Sequence, residues 1–336
     1  MDKHYNIPVF ISHAGCWHGC VFCNQKIITG QSYDGRKTRE TIEFYLNRIQ
    51  SYANTEIAFF GGSFTGLEKS EMINLLEIAG EYANKYKLKG VRLSTRPDYI
   101  NQEIIEILLR YKVSNIELGI QSMFDDVLSA CRRGCTVEDC VRACGLIKRA
   151  GIGLTGQMML GLPGSGREKD IATAERIADL GAGAARIYPA VILRDTEMRA
   201  MYERGEYAPV CLDEAVSRAK EIKKIFDSRG IKILRMGLCS SDNINTADCV
   251  GPYHPAFGEL VAGEIIYEKL REDLEKINAY DTDGIIIETA KKNISRIIGH
   301  GRKNIVRLEE TFSKNIRIFE NEHTNGEYNI SVFKKH

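Results

Sequence analysis

The chain has 336 residues, 43% hydrophobic and 27% charged, with 46 basic against 45 acidic side chains and a formal net charge of +1. That length suits one large core or a barrel-sized domain with an appendage. The balanced charge excludes a global drive toward nucleic acid or membrane, so any polyanion site must be a local patch. The start, Met1-Asp2-Lys3-His4-Tyr5-Asn6, lacks the apolar run of a secretory leader, and no apolar stretch reaches the roughly 20 residues of a membrane span. A cytoplasmic protein with no membrane partner is expected.

The first strand, near 9–12, runs into His13-Ala14-Gly15-Cys16-Trp17-His18-Gly19-Cys20-Val21-Phe22-Cys23-Asn24-Gln25. Ten cysteines in a long chain of this kind read as metal ligands, catalytic thiols or small core residues. For Cys16, Cys20 and Cys23 the spacing is informative: three thiolates on one loop can hold three irons of a 4Fe-4S cluster and leave the fourth open to a non-protein ligand. A zinc knot is the alternative, with His13 or His18 as its fourth ligand.

The second strand, 56–60, ends in Gly61-Gly62-Ser63-Phe64-Thr65, and further strand-like runs follow at 91–94, 115–120, 154–160 and 185–189. Helical patterns lie between them near 38–53, 69–86, 101–111, 137–150 and 168–180. The alternation predicts parallel strands joined by helices. Six units end near Tyr188-Pro189, fewer than a closed barrel needs. The expected fold is therefore α/β: a partial (β/α)6 TIM-type barrel over 1–240, with its site at the carboxyl ends of the strands.

A helix over 212–229 leads to a run at 231–237, and a small α+β domain is expected over 241–336. It comprises a helix at 259–275, an apolar run at 284–287, a basic helical piece at 291–307 and two strand-like runs at 316–319 and 328–333. The Asn325-Gly326 pair between the last two marks a hairpin turn.

Cys-x3-Cys-x2-Cys after the first strand resembles the radical S-adenosylmethionine (SAM) superfamily. The resemblance implies that SAM chelates the open iron and that an electron from the cluster cleaves its sulfonium bond. The resulting 5′-deoxyadenosyl radical abstracts hydrogen from a substrate. It also implies a low-potential electron donor of flavodoxin or ferredoxin type and anaerobic chemistry. Gly61, Gly62 and Ser63 resemble the family's glycine-rich loop at the methionyl amine, where a missing Cβ permits close backbone approach. Gln121, Ser122, Arg133 and Gln157 match positions that contact ribose and carboxylate in oxygen-independent coproporphyrinogen III oxidases, and a guanidinium suits the carboxylate because it binds bidentately. Phe22 resembles the aromatic beside adenine. From the residues alone, Gln157 also reads as a hydrogen-bonded core polar group and Phe22 as loop packing.

Over roughly 8–310 the chain is similar to one branch, that of the Elongator catalytic subunit, a tRNA wobble-uridine modifier. The supporting runs are Ser94-Thr95-Arg96-Pro97-Asp98-Tyr99, Ile116 through Ser122, Arg186-Ile187-Tyr188-Pro189, Arg194-Asp195-Thr196 and Gly251 through Phe257. The short form leaves no room for that subunit's acetyltransferase domain or basic extension, so acetyl-CoA chemistry is not expected. Coproporphyrinogen oxidases carry a fourth cysteine where this chain has Gln25, which argues against a porphyrinogen substrate.

The substrate stays open between a tRNA base and a small molecule, with Tyr188, Arg194, Cys239 and His254 as candidate contacts. Tyr188 and His254 read equally well as structural. Lys291, Lys292, Arg296, His300, Arg302, Lys303 and Arg307 could form a phosphate-facing stripe or a solvated helix face. Cys131, Cys135, Cys140 and Cys144 would face broadly one side if on one helix. With Cys211, Cys239 and Cys249 they read as candidates for an auxiliary iron-sulfur cluster, as a reactive thiol, or as small buried residues. A non-catalytic iron-sulfur carrier or sensor is the rival from another class, but it has no need of an open iron or a SAM pocket.

Overall fold

A computed structural model describes residues 4–24, 34–49, 51–238, 249–324 and 326–333. The chain divides into two compact units, 1–255 and 256–336. The first is built from β1 (Tyr5–Phe10), α1 (Thr38–Leu46), β2 (Thr55–Phe60), α2 (Lys69–Lys85), β3 (Gly90–Thr95), α3 (Gln102–Arg110) and β4 (Val113–Gln121). It continues through α4 (Asp125–Ala130), α5 (Val137–Arg149), β5 (Gly153–Leu160), α6 (Arg167–Asp179), β6 (Ala184–Pro189), α7 (Glu197–Glu203), α8 (Leu212–Ser228) and β7 (Lys232–Met236).

All seven strands form one sheet in the order β1-β2-β3-β4-β5-β6-β7, and every pairing is parallel. This is the α/β partial barrel expected from the sequence, with one strand more than the six units counted. The extra strand is the run after the 212–229 helix, where β7 pairs with β6 from Ala184↔Lys232 to Ile187↔Met236. No helix among the described residues is long and apolar enough to cross a membrane.

Strand alternation sorts the residues onto two faces. One face carries Ile57, Leu93, Ile116, Leu118, Ile120, Met158 and Ile187, all at 0% exposure. The other carries charge: Glu56 on β2, Arg92 on β3, Glu117 on β4 and Arg186 on β6. Arg92 bridges Glu56 at 3.5 Å and Glu117 at 3.4 Å, and Arg186 meets Glu117 at 2.8 Å. Buried carboxylates and guanidiniums are tolerated because each is paired with an opposite charge.

The second unit holds α9 (Phe257–Lys276), β8 (Gly284–Thr289), α10 (Lys291–Ile298), α11 (Lys303–Phe312), β9 (Ile316–Glu320) and β10 (Asn329–Phe333). Two expectations are corrected here. The last two strands are not a hairpin, because β8 lies between them in the order β10-β8-β9, parallel to β9 and antiparallel to β10. The apolar Ile285-Ile286-Ile287 run takes the central place, with Ile285 and Ile287 fully buried; Asn325 lies outside the described residues. The basic stretch is not one helix either. It breaks at Gly301 and Arg302, both in the left-handed region, between α10 and α11. Arg296 pairs with Glu259 at 3.4 Å and Arg307 with Glu264 at 2.6 Å, so the stripe is partly neutralised.

Candidate functional site: the carboxyl-end rim of the sheet

The cysteine loop is seated on the glycine loop largely through backbone. Ile11 N–H donates to Phe60 O at 2.8 Å, His13 N–H to Gly61 O at 3.1 Å, and Ser63 N–H to Ala14 O at 3.0 Å. A Cβ on Gly62 would overlap the carbonyl oxygens of Ile11 and Ala14, and one on Gly15 would overlap that of Ser63. Gly61 takes φ +89° and Gly15 φ +69°, a region glycine enters without strain. The two loops therefore touch at main-chain distance, and Cys16 Sγ lies 3.3 Å from Ser63 Oγ.

A second strand end grips the loop from the other side. Arg96, 4% exposed, sits just after β3 and is held by Asp98 through two hydrogen bonds of 3.0 Å. Its Nη1 donates to Cys20 Sγ at 3.7 Å and its Nη2 to the carbonyl of Arg133. Tyr99 Oη accepts the Trp17 N–H at 3.3 Å, and the Trp17 indole N–H donates to Gly66 O at 2.9 Å. Sequence reasoning missed Arg96, Asp98 and Tyr99 as site residues; the available signal was a charged pair directly after a strand.

Arg133, in the turn between α4 and α5, donates to Cys20 Sγ at 3.2 Å and to Gly119 O. Burial opposes its charge, but the neighbouring Cys20 and Cys135 sulfurs outweigh that and hold its pKa above the ordinary value. Gln121 ends β4 at φ +66°, and the β4–β5 register shifts between Gly119 and Gln121. Such an irregularity re-aims a side chain at a strand end. A Cβ on Gly119 would lie 3.0 Å from Gln121 Nε2 and 3.3 Å from Arg133 Nη2, and Gly119 is the register partner of Gln157. The expected cofactor residues Gln121, Arg133 and Gln157 are thus brought together beside Cys20.

Three buried polar atoms in this cluster have no hydrogen-bond partner: Gln121 Oε1, Ser122 Oγ and Arg133 Nε. Buried polar atoms are usually paired, and these three lie close together at the end of β4 and in the α4–α5 turn, where a polar ligand would complete them. Phe22 is half-buried and packs on a cluster that includes Val21, Val127, Cys131, Leu162 and Met198.

Of the expected substrate contacts, Tyr188 is half-buried on β6, with Met159 of β5 as its register partner. The Arg194 carbonyl accepts from Asn24 Nδ2 at 3.4 Å, which ties its loop to the cysteine loop. His254 is half-buried shortly after the bridge of Val250 to Ile192. Cys239 and Gln25 lie outside the described residues.

The four cysteines between 131 and 144 do not share a helix, which corrects that expectation. Cys131 caps α4, Cys135 lies in the turn, and Cys140 and Cys144 are in α5. All four are buried. Cys135 and Cys140 flank the Thr136–Asp139 capping box at the two positions where an apolar pair staples a helix start. Their mutual hydrogen bond draws Cys135 down and holds Cys140 up. Burial pushes Cys131 and Cys144 up to about 12, which suits packing rather than ligation. Among the described residues no three His, Cys, Asp or Glu side chains converge as they would on a single metal ion. That includes Cys16, Cys20 and Cys23; a cubane instead meets each thiolate at a separate iron.

A parallel open sheet with a cysteine loop at its carboxyl rim defines an α/β protein of the partial-barrel class with a thiolate site at its strand ends. The Radical SAM superfamily model matches residues 10–177 and the Radical_SAM C-terminal domain model matches 183–267. The chain belongs to the Radical SAM superfamily, whose enzymes use a 4Fe-4S cluster and SAM. It is 28% identical over 262 residues to a tRNA uridine(34) acetyltransferase of Methanocaldococcus infernus, covering 65% of this chain and 49% of that relative. The chain thus spans about half the length of that relative. It is 25% identical to protein YhcC of Escherichia coli K12, covering 61% of this chain and 66% of YhcC. The solved archaeal Elp3 of M. infernus, with an N-terminal deletion, superposes with a TM-score of 0.64 at 24% identity, covering 81% of this chain and 64% of that one. That structure shares the fold, and the resemblance to the Elongator-like branch holds.

Proposed function

We propose that Cys16, Cys20 and Cys23 hold the cluster, that Gly61, Gly62, Ser63, Gln121, Ser122, Arg133 and Gln157 bind SAM with Phe22 beside its adenine, and that the substrate is a base in tRNA. When bound, the cluster and SAM supply a 5′-deoxyadenosyl radical that abstracts hydrogen. The protein's part is positional. Backbone contact between the cysteine and glycine loops fixes where the thiolates sit, and the unpaired atoms of Gln121, Ser122 and Arg133 await a ligand's polar groups. Arg133 offers a buried guanidinium to a carboxylate in a site where such a pair is worth more than in water. Half-buried Tyr188 and His254, together with Arg194 and Cys239, are the proposed substrate contacts, and a flavodoxin- or ferredoxin-type protein is the proposed electron donor.

The single observation that carries the cofactor assignment is the cluster of three orphaned polar atoms beside Cys20. The tRNA reading draws on relatives that bear the name tRNA uridine(34) acetyltransferase. It is tested by incubating anaerobically reconstituted, reduced protein with SAM and bulk tRNA. Stimulated release of 5′-deoxyadenosine, together with an altered nucleoside in the digested tRNA, is the expected result. Release that is indifferent to RNA, with unchanged nucleosides, contradicts it.

A further inference from the structure

At the opposite end of the sheet, where β3 and β4 begin, the C-terminal ends of α2 and α3 enclose a groove of about 350 Å³. Its lining includes Lys87, Lys89, Arg110 and Lys112 and no acidic side chain, and Lys85 lies at the last position of α2. Many cations elsewhere on the surface are paired, among them Arg199 with Glu203, Arg229 with Asp179, Lys223 with Asp227 and Arg167 with Glu214, while scattered ones such as Lys232 and Arg317 are not paired among the described residues. Lys85, Lys87, Lys89, Arg110 and Lys112 form no ion pair among the described residues. In a chain of net charge +1 this is a local excess of positive charge.

Basic residues at a helix C-terminus offset the helix dipole, and that accounts for Lys85 and Arg110. It does not account for Lys87 and Lys112. Each follows its helix in the left-handed conformation, at φ +52° and +55°, a position where glycine is favoured. Helices α5, α6, α7 and α8 carry Gly151, Gly181, Gly205 and Gly230 at that same place, all at positive φ. A lysine there costs about 1 kcal/mol relative to glycine. Of the two other exceptions, Arg132 after α4 adjoins Arg133 of the site already described, and Asn278 after α9 is a residue type that tolerates this conformation. Two neighbouring helix ends thus accept strain to place a cation in one groove, and strain of this kind accumulates where a ligand is bound.

We propose that this groove binds the phosphate backbone of the RNA substrate; the proposal rests on the tRNA reading above. Lysines on flexible stems suit a repeating phosphodiester, which needs charge rather than a fixed fork. Tyr86 and Tyr111 follow Lys85 and Arg110 directly, so each helix end carries a basic-Tyr-Lys run beside the groove. β3 has six residues, which puts the groove about 20 Å behind the rim, a distance a folded RNA spans while its reactive base enters the site.

The test is the double variant Lys87→Gly, Lys112→Gly, with Lys89→Gln as an independent second variant, in gel shifts with bulk tRNA over a salt series. The double variant is expected to melt at or above the wild-type temperature, because glycine relieves the strain. It is expected to bind tRNA about tenfold more weakly, with the slope of log K against log salt reduced by about 2; for Lys89→Gln the slope falls by about 1. Wild-type affinity and slope in both variants would overturn this proposal and leave the tRNA reading standing. Wild-type protein that fails to bind tRNA at low salt would overturn both.

Discussion

The two faces of the seven-stranded sheet are made from the same strands but obey different rules. On β4, Ile116, Leu118 and Ile120 are fully buried and apolar, while Glu117, Gly119 and Gln121 on the alternate positions are a paired charge, a bare backbone and a strained polar residue. The first face satisfies every requirement of folding within the chain. The second leaves atoms unsatisfied at its carboxyl end, and that residue of unmet hydrogen bonding is what separates a binding site from a core.

Substitutions on the two faces sharpen this contrast. The largest effect is expected for Gly62→Val, whose side chain would collide with the backbone of the cysteine loop at Ile11 and Ala14. The reconstituted variant should lose most of its iron, measured as iron per chain, while its helix content by circular dichroism is kept. Glu117→Ala leaves Arg186 and Arg92 buried without their shared partner and should cost about 3–5 kcal/mol in denaturant unfolding.

Ile116→Ala, on the apolar face, should cost about 2–5 kcal/mol, yet the folded fraction should bind SAM as the wild type does. Gln121→Ala reverses that pattern. Because its amide oxygen has no partner in the protein, stability should change by less than about 1 kcal/mol, while SAM affinity, read by equilibrium dialysis, falls about tenfold. A Gln121→Ala protein that unfolds as readily as Ile116→Ala would break the distinction between the faces.

The sequence showed the apolar face clearly, because alternating short runs separated by amphipathic helices have a period that folding imposes directly. It also showed the three cysteines and the glycine loop, where spacing alone limits the chemistry. What it hid were relations between distant segments. Arg96 reaches Cys20 across 76 positions; its local context offered a charged pair with Asp98 after a strand, but not the distant loop that the arginine grips. The seventh strand was legible as an apolar run, but only its pairing with β6 joined it to the sheet. The final two strands were legible as strands, and their partner was not, since Asn-Gly suggests a hairpin and the strongly apolar β8 wins the central position. Cys135 and Cys140 read from the sequence either as ligands or as small buried residues, and their places on either side of the capping box at Thr136 fit the second reading.

The central claim is that the carboxyl rim of this sheet joins a three-cysteine cluster to a SAM pocket. Electron paramagnetic resonance of the reduced, anaerobically reconstituted protein tests it most directly. With about four irons per chain, the wild type should show a reduced-cluster signal that changes shape when SAM is added, and Gln121→Ala should need about tenfold more SAM for the same change. A signal that SAM leaves untouched at saturating concentration in the wild type would contradict the account.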